Sequence, residues 1–249
     1  MRKIITALIF VLSGSLAMAQ NYSDMTPEER ASFGDAVREY LLENPEVIME
    51  AVAILQNRER AAAVGADREL AERYAEQLGN DGYSYVGGNP DGAITMVEFL
   101  DYRCGYCRRA HDEIAALVAA NSDVRFVVKE LPVLGDESVL ASRAALAVLV
   151  NDGPDVYHRM NDLLMRFDGP FNDATLFDIA TEAGADAPRM SELMGQPLIT
   201  EMISNNRTLA ATLQVTGTPT FVIGTEMVRG YVAPEIMNSI LEDVRQAVN

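Results

Sequence analysis

At 249 residues, 49% of them hydrophobic, the chain is long enough for one elaborated domain with an appendage and can bury a sizeable core. Its formal charge of −17 at pH 7 argues against nucleic acid and anionic membrane surfaces as partners, since a strongly acidic protein repels both. It has two cysteines, only two residues apart, and a bridge between them would close too small a loop to restrain the unfolded chain much, so a purely stapling role is a poor reading.

The first residues read as an export signal, residues 1–19. Arg2 and Lys3 form a charged start, Ile4 to Leu12 an apolar run too short to span a membrane, and Ala17-Met18-Ala19 a small-residue cleavage site. Thr26-Pro27-Glu28-Glu29 then carries a helix-start signature, which predicts a helix to about Leu42. Asn44-Pro45 restarts it. Ile48, Val52, Leu55, Ala62, Ala66 and Leu70 recur at helical spacing and predict one long amphipathic helix ending before Gly79. Such a helix either lies on its own domain or buries its stripe against copies of itself; the small Ala62 and Ala66 thin the stripe and favour self-association. Residues 20–82 are therefore read as an N-terminal helical arm, a region for homo-oligomerisation as a trimer or dimer.

Asn80 to Gly92 is a turn-rich connector containing a short predicted strand, Tyr83 to Val86. Ile94 to Leu100 reads as a buried strand running into Cys104-Gly105-Tyr106-Cys107 and a helix from Tyr106 to Ala120. Val124 to Lys129 is a second strand of the same character. Strand, helix and strand at this spacing make a parallel crossover unit. Ser138 to Val150, Val156 to Phe167, Asp173 to Ala183 and Ala187 to Leu213 form a helical insertion over about 135–213. Strands at Thr220 to Ile223 and Met227 to Val228 and a closing helix, Ala233 to Val248, complete residues 83–249.

The spacing of the cysteines suits redox chemistry. A thiolate attacks disulfides, so a catalytic cysteine needs its pKa brought down, and Cys104 falls at the amino end of a helix, where unpaired N–H groups and the dipole favour negative charge. Cys107 comes round to the same face and can resolve a mixed disulfide. Arg103, Arg108 and Arg109 either favour the thiolate further or form a solvated face, and Tyr106 either shields the pair or contacts substrate. His111 and His158 read as ordinary residues; a metal site joining His111 to the cysteines would have a thin ligand set.

The strand Met96 to Asp101, the Cys104-Gly105-Tyr106-Cys107 motif, the helical block and Thr216-Gly217-Thr218-Pro219-Thr220-Phe221 together resemble the DsbA-like thioredoxin-fold family over about residues 83–249. In character they are closest to ScsC-type and DsbC-type periplasmic disulfide isomerases. The fold class is thus expected to be α/β, a thioredoxin fold with an inserted all-helical subdomain and an N-terminal helical arm. The resemblance implies a cis Thr218-Pro219 peptide facing Cys104 and holding an extended substrate, and a buried carboxylate at Glu98, six residues before Cys104. Buried on an apolar strand, Glu98 would have a raised pKa and exchange a proton with Cys107. Lys129, the one lysine left once the signal is removed, is placed by this reading at the end of its strand, where it approaches Glu98.

The resulting expectation is a periplasmic thiol-disulfide oxidoreductase without organic cofactor or resident metal. It would act on exported proteins with cysteines and be reset by a membrane redox partner. An oligomeric isomerase is favoured, with a monomeric oxidase and a copper-handling protein as alternatives.

Overall fold

A computed structural model describes residues 25–248, so the expected export signal lies outside the described residues. The chain divides between Glu59 and Arg60 into two compact units. The first holds α1 (Pro27–Glu43) and the beginning of α2 (Glu46–Arg73). The start signature closes a capping box: Glu29 N–H donates to Thr26 Oγ1 at 3.3 Å, and Thr26 N–H donates to the Glu29 carboxylate at 2.8 Å. No residue of α1 is buried. Val37 and Tyr40 on α1, and Ile48, Val52 and Leu55 on α2, remain exposed at helical spacing.

The second unit is built on a five-stranded sheet in the order β1-β3-β2-β4-β5, from β1 (Tyr85–Gly88), β2 (Ile94–Leu100), β3 (Val124–Glu130), β4 (Thr220–Ile223) and β5 (Glu226–Arg229). β2 and β3 are parallel, joined through α4 (Gly105–Ala120); every other pairing is antiparallel. This is the expected thioredoxin-like arrangement. Both faces of β2 are covered, which is why it reads as apolar apart from Thr95 and Glu98 instead of as an alternation. Met96 and Phe221 face α4 and α10 (Pro234–Val248). Val97, Phe99 and Val127 on the opposite face pack with Ala71, Leu78 and Leu213.

The predicted long helix breaks at Tyr74, leaving a short α3 (Ala75–Gly79) whose Leu78 is buried with Ala71 against that second face. The first strand begins two residues later than predicted, because Asp81 caps the turn at residues 83 and 84: its Oδ1 accepts from Tyr83 N–H at 3.1 Å and Ser84 N–H at 2.9 Å.

The insertion comprises α5 (Asp136–Asp152), α6 (Pro154–Arg166), α7 (Asp173–Ala183), α8 (Ala187–Leu193) and α9 (Pro197–Thr212). The last two replace one predicted helix, with Pro197 opening the second as a helix-start residue. α5 is apolar nearly all round and central to the subdomain. α6 buries Tyr157, Met160, Asn161, Leu164 and Met165, a stripe at spacings of three and four. Among the described residues no helix is long and apolar enough to cross a membrane.

Candidate active site

The turn from β2 into α4 is fixed by Asp101. Its Oδ1 accepts from Arg103 N–H at 2.8 Å and Ser138 Oγ–H at 2.7 Å, and its Oδ2 from the N–H groups of Val133 and Leu134 at 2.8 and 3.0 Å. The loop between β3 and α5 is thereby tied to the cysteine turn. Cys104 is the N-cap of α4, with extended backbone (φ −77°, ψ 113°), so its Sγ folds back to accept from Cys107 N–H at 3.5 Å. Sulfur occupies the place where a helix start ordinarily sets a serine or aspartate oxygen.

Across the site the Thr218-Pro219 peptide is cis, as the resemblance implies, and Cys104 Sγ lies 3.0 Å from the Thr218 carbonyl oxygen, a hydrogen bond that only the protonated thiol donates. The segment is held by Gly230 N–H, which donates to Pro219 O at 2.9 Å, and by Thr220 Oγ–H, which donates to Gly217 O at 2.8 Å.

The two thiols are driven apart in acidity. A hydrogen bond from Cys107 is the largest influence on Cys104. With further bonds from the Thr218 side chain and the backbone N–H groups of Cys107 and Tyr106, it outweighs burial and lowers the thiol to about 5. Cys107 is fully buried; burial, its hydrogen bond to Cys104 and the charge of Glu98 push its thiol far up. One sulfur is thus ionised at neutral pH while its neighbour keeps its proton.

The arginines are engaged elsewhere. Arg103 donates to Gly169 O at 2.9 Å and stacks over Phe171, Arg108 donates to Met165 O and Phe167 O at 2.8 and 2.5 Å, and Arg109 lies over the Tyr231 ring. They brace the helical subdomain and Tyr231, and none is among the principal causes of the lowered Cys104 value. Tyr106 is 61% exposed, with its ring stacked on Tyr231 at 6.4 Å.

Glu98 is only 5% exposed. Burial, followed by the charges of Cys104 and Glu130, raises its carboxyl to about 8. It lines a cavity of about 250 Å³ together with His111, Ile114, Val128, His158 and Asn161, a polar-edged space roomy enough for several waters. His111, weighed as a metal ligand beside the cysteines, instead sets Nε2 3.1 Å from Asp162 Oδ1, and His158 stacks on Tyr85.

Lys129 requires a correction. It does not approach Glu98: the parallel register pairs Glu98 with Val128, so the next residue points to the opposite face. There Lys129 is fully buried, donating to Gln77 O at 2.7 Å and to the Asp81 carboxylate, and lying 5.6 Å from the Tyr83 ring centroid. Burial pulls its ammonium below the ordinary lysine value.

The same alternation brings Glu130, which sequence reasoning missed, onto the Glu98 face. Its Oε1 accepts from the hydroxyls of Tyr102 and Tyr157 at 2.6 and 2.7 Å, and its Oε2 from Ser142 Oγ–H at 2.7 Å. The only signal in the sequence was its parity with Glu98 on an adjacent parallel strand, which is visible once the register is known.

Residues 95–242 match the DSBA-like thioredoxin domain, and residues 29–62 match the copper resistance protein ScsC N-terminal domain. A thioredoxin-like oxidoreductase from Silicibacter pomeroyi is 38% identical with a TM-score of 0.65, over 69% of this chain and 97% of that one. The compact conformation of Proteus mirabilis ScsC is 27% identical with a TM-score of 0.66, over 88% of this chain and 99% of that one. The Na(+)/H(+) antiporter NhaA 1 of Salinispora arenicola is 29% identical over 139 residues, 56% of this chain; the chain spans about a fifth of the length of the curated relatives it matches first. Because the DSBA-like match extends over more than half of its residues and includes the cysteine turn, α4 and the Thr218-Pro219 segment, the chain belongs to the DSBA-like thioredoxin domain family.

Proposed function

We propose that the chain is a periplasmic thiol-disulfide oxidoreductase acting on exported proteins that carry cysteines, and that it works as an oligomeric disulfide isomerase more than as a monomeric dithiol oxidase. The observation that carries this reading is the opposed acidity of Cys104 and Cys107 beside the Thr218 carbonyl. The Cys104 thiolate attacks one sulfur of a substrate disulfide; the substrate S–S bond breaks and its second sulfur leaves as a thiolate. In reshuffling, another substrate thiolate then attacks the mixed disulfide and releases Cys104 unchanged. In the dithiol route Cys107 attacks instead, giving its proton to Glu98, and a membrane redox partner resets the pair. Thr218 and Pro219 hold the substrate chain, with Tyr106 in contact with it.

Two observations support the isomerase form over the oxidase: the ScsC N-terminal match over residues 29–62, and the exposed apolar positions of α1 and α2, which a second copy would cover. Lys129 takes no part in this chemistry; it anchors the connector. Replacing Cys104 by Ala is expected to abolish refolding of scrambled ribonuclease, while Cys107→Ala accumulates mixed disulfides. Unchanged activity in both variants overturns the assignment. Thiol trapping in cells separates the directions, a mostly reduced pair marking the isomerase and a mostly oxidised pair the oxidase. The name of the matched N-terminal family favours one second reading, copper handling. It would show as Cu(I) binding dependent on both cysteines, with negligible disulfide turnover.

A further inference from the structure

Glu130 is a buried acid for which the chemistry above has no use. We propose that Glu98 and Glu130 form a coupled pair of buried carboxyl groups, in which Glu130, clamped as a carboxylate by three hydroxyls, is the positioning residue that makes Glu98 basic enough to accept the Cys107 proton. The proposal rests on the dithiol-exchange reading of the cysteine site.

The geometry comes from the sheet. β2 and β3 run parallel with Glu98 opposite Val128 and Leu100 opposite Glu130, so both acids lie on the face that α4 covers, on adjacent strands and two residues apart along them. Glu130 is 1% exposed, with no cation among its hydrogen-bond partners: Tyr102, Tyr157 and Ser142 donate to it, Asn161 Nδ2–H donates on to the Tyr102 hydroxyl at 3.1 Å, and Asn206 holds the Glu130 backbone carbonyl. Three donors to one carboxyl group favour its ionised form, and burial opposes it. The other titratable groups facing the pair are Asp101 before the cysteine turn, Cys104 and Cys107 at the start of α4, and Tyr85, His111 and His158 on the cavity that Glu98 lines. Asn161 belongs to both the cavity wall and the hydroxyl network and so connects the two acids physically.

The hydroxyl clamp gives the pair its function. Burial raises Glu130 to about 7 while its three hydroxyl donors favour the carboxylate, and the charge it then carries is one of the causes that raise Glu98 to about 8. The other charge acting on Glu98 is the Cys104 thiolate, which vanishes when that sulfur enters a mixed disulfide. Substrate capture therefore releases part of the hold on the Glu98 proton, while Glu130 remains as the fixed part. In the resolving step the Cys107 S–H proton passes to ionised Glu98, the Cys104–Cys107 bond forms, and the bond from Cys104 to the substrate breaks with its electron pair on the substrate sulfur. Without Glu130, Glu98 ionises more readily but is a weaker acceptor for that proton.

The test follows the Glu98 carboxyl resonance by NMR in the reduced full-length protein against pH, in wild type and Glu130→Gln, beside the rate at which Cys107 resolves a preformed Cys104 mixed disulfide. The Glu98 titration is expected to move down by about one pH unit, the scale at which two sites titrate as a pair. The acid limb of the resolving rate should move with it, and the plateau rate should fall several-fold. Tyr157→Phe, which leaves Glu130 in place and removes one donor, is expected to shift Glu98 the same way by less, and serves if the first variant fails to fold. A Glu98 titration unchanged in every variant that folds overturns the coupling, whatever the protein's turnover. Loss of stability without movement of the titration reduces Glu130 to a structural residue. Absence of disulfide exchange in wild type defeats the functional reading instead, and the resonance shift still reports on the pair.

Discussion

Cys104 and Cys107 are one helical turn apart, and their acidities are nevertheless driven in opposite directions by where α4 begins. Cys104 precedes the first full turn, so its sulfur accepts a hydrogen bond from the Cys107 thiol, the largest influence, and meets N–H groups that have no partner within the helix. Cys107 is inside the helix and faces Glu98 in a fully buried setting. A pH dependence follows. Folding lowers the Cys104 pKa from an ordinary value of 9.0 to about 5, so between those values the folded chain is ionised while the unfolded chain holds the proton. The stability this group gives the reduced protein is complete above the unfolded value, declines as pH falls, and is gone below about pH 5. Iodoacetamide alkylation of reduced protein should therefore titrate near pH 5, and the stability difference between reduced wild type and Cys104→Ala should shrink over the same fall in pH. Alkylation titrating near 9 would remove the thiolate from the mechanism.

At the scale of elements, β3 carries two buried charges on opposite faces, each satisfied differently. Glu130 is met by hydroxyls, whereas Lys129 is met by a carboxylate from the connector between α3 and β1. Since Lys129 is wholly buried, removing its partner leaves a cation without compensation, which typically costs about 3–5 kcal/mol. Asp81→Ala is therefore expected to lower the free energy of unfolding in urea by roughly that much, with Ser84 and the start of β1 losing order too, because Asp81 also caps that turn. Lys129→Met combined with Asp81→Asn, which removes both charges and keeps an acceptor at the turn, should be much less destabilising than Asp81→Ala, since replacing both members of a buried ion pair is often near neutral. If both variants unfold at the wild-type urea concentration, the pair is not the anchor described.

For the whole molecule, the division between Glu59 and Arg60 falls inside α2, because the later part of that helix already belongs to the second unit. Arg229 holds Asp67, Arg68 holds Glu226, and Ala71 is buried against the sheet. Before that point α1 and the start of α2 bury nothing, while Val37, Tyr40, Ile48, Val52 and Leu55 keep the spacing of a packing seam. The proposed assembly follows from that imbalance. Light-scattering mass is expected to be a multiple of the monomer for residues 20–249 and a single chain for residues 60–249, with the Cys104 titration unchanged in the shorter protein. Equal monomeric masses would end the oligomer proposal. The strongly acidic surface adds a further expectation, that assembly strengthens with salt as repulsion between copies is screened.

Local chemistry made much of this protein legible before any coordinates. The capping box at Thr26 depends on residues three apart, the bounds of β2 on a run apolar but for Thr95 and Glu98, and the N-cap position of Cys104 on the start of a helix; each is a short-range property that the chain carries wherever it goes. Glu98 was indicated through the family resemblance, which implies a buried carboxylate six residues before Cys104. What only the tertiary structure decided were relations between strands and across faces. Parity on β3 sent Lys129 to Asp81 and turned Glu130 toward Glu98, and α2 broke at Tyr74 where Leu78 met the sheet. Side chains on a strand alternate with a period of two, so a single step of register exchanges partner for stranger, and no pattern within one strand reveals which residue its neighbour will oppose.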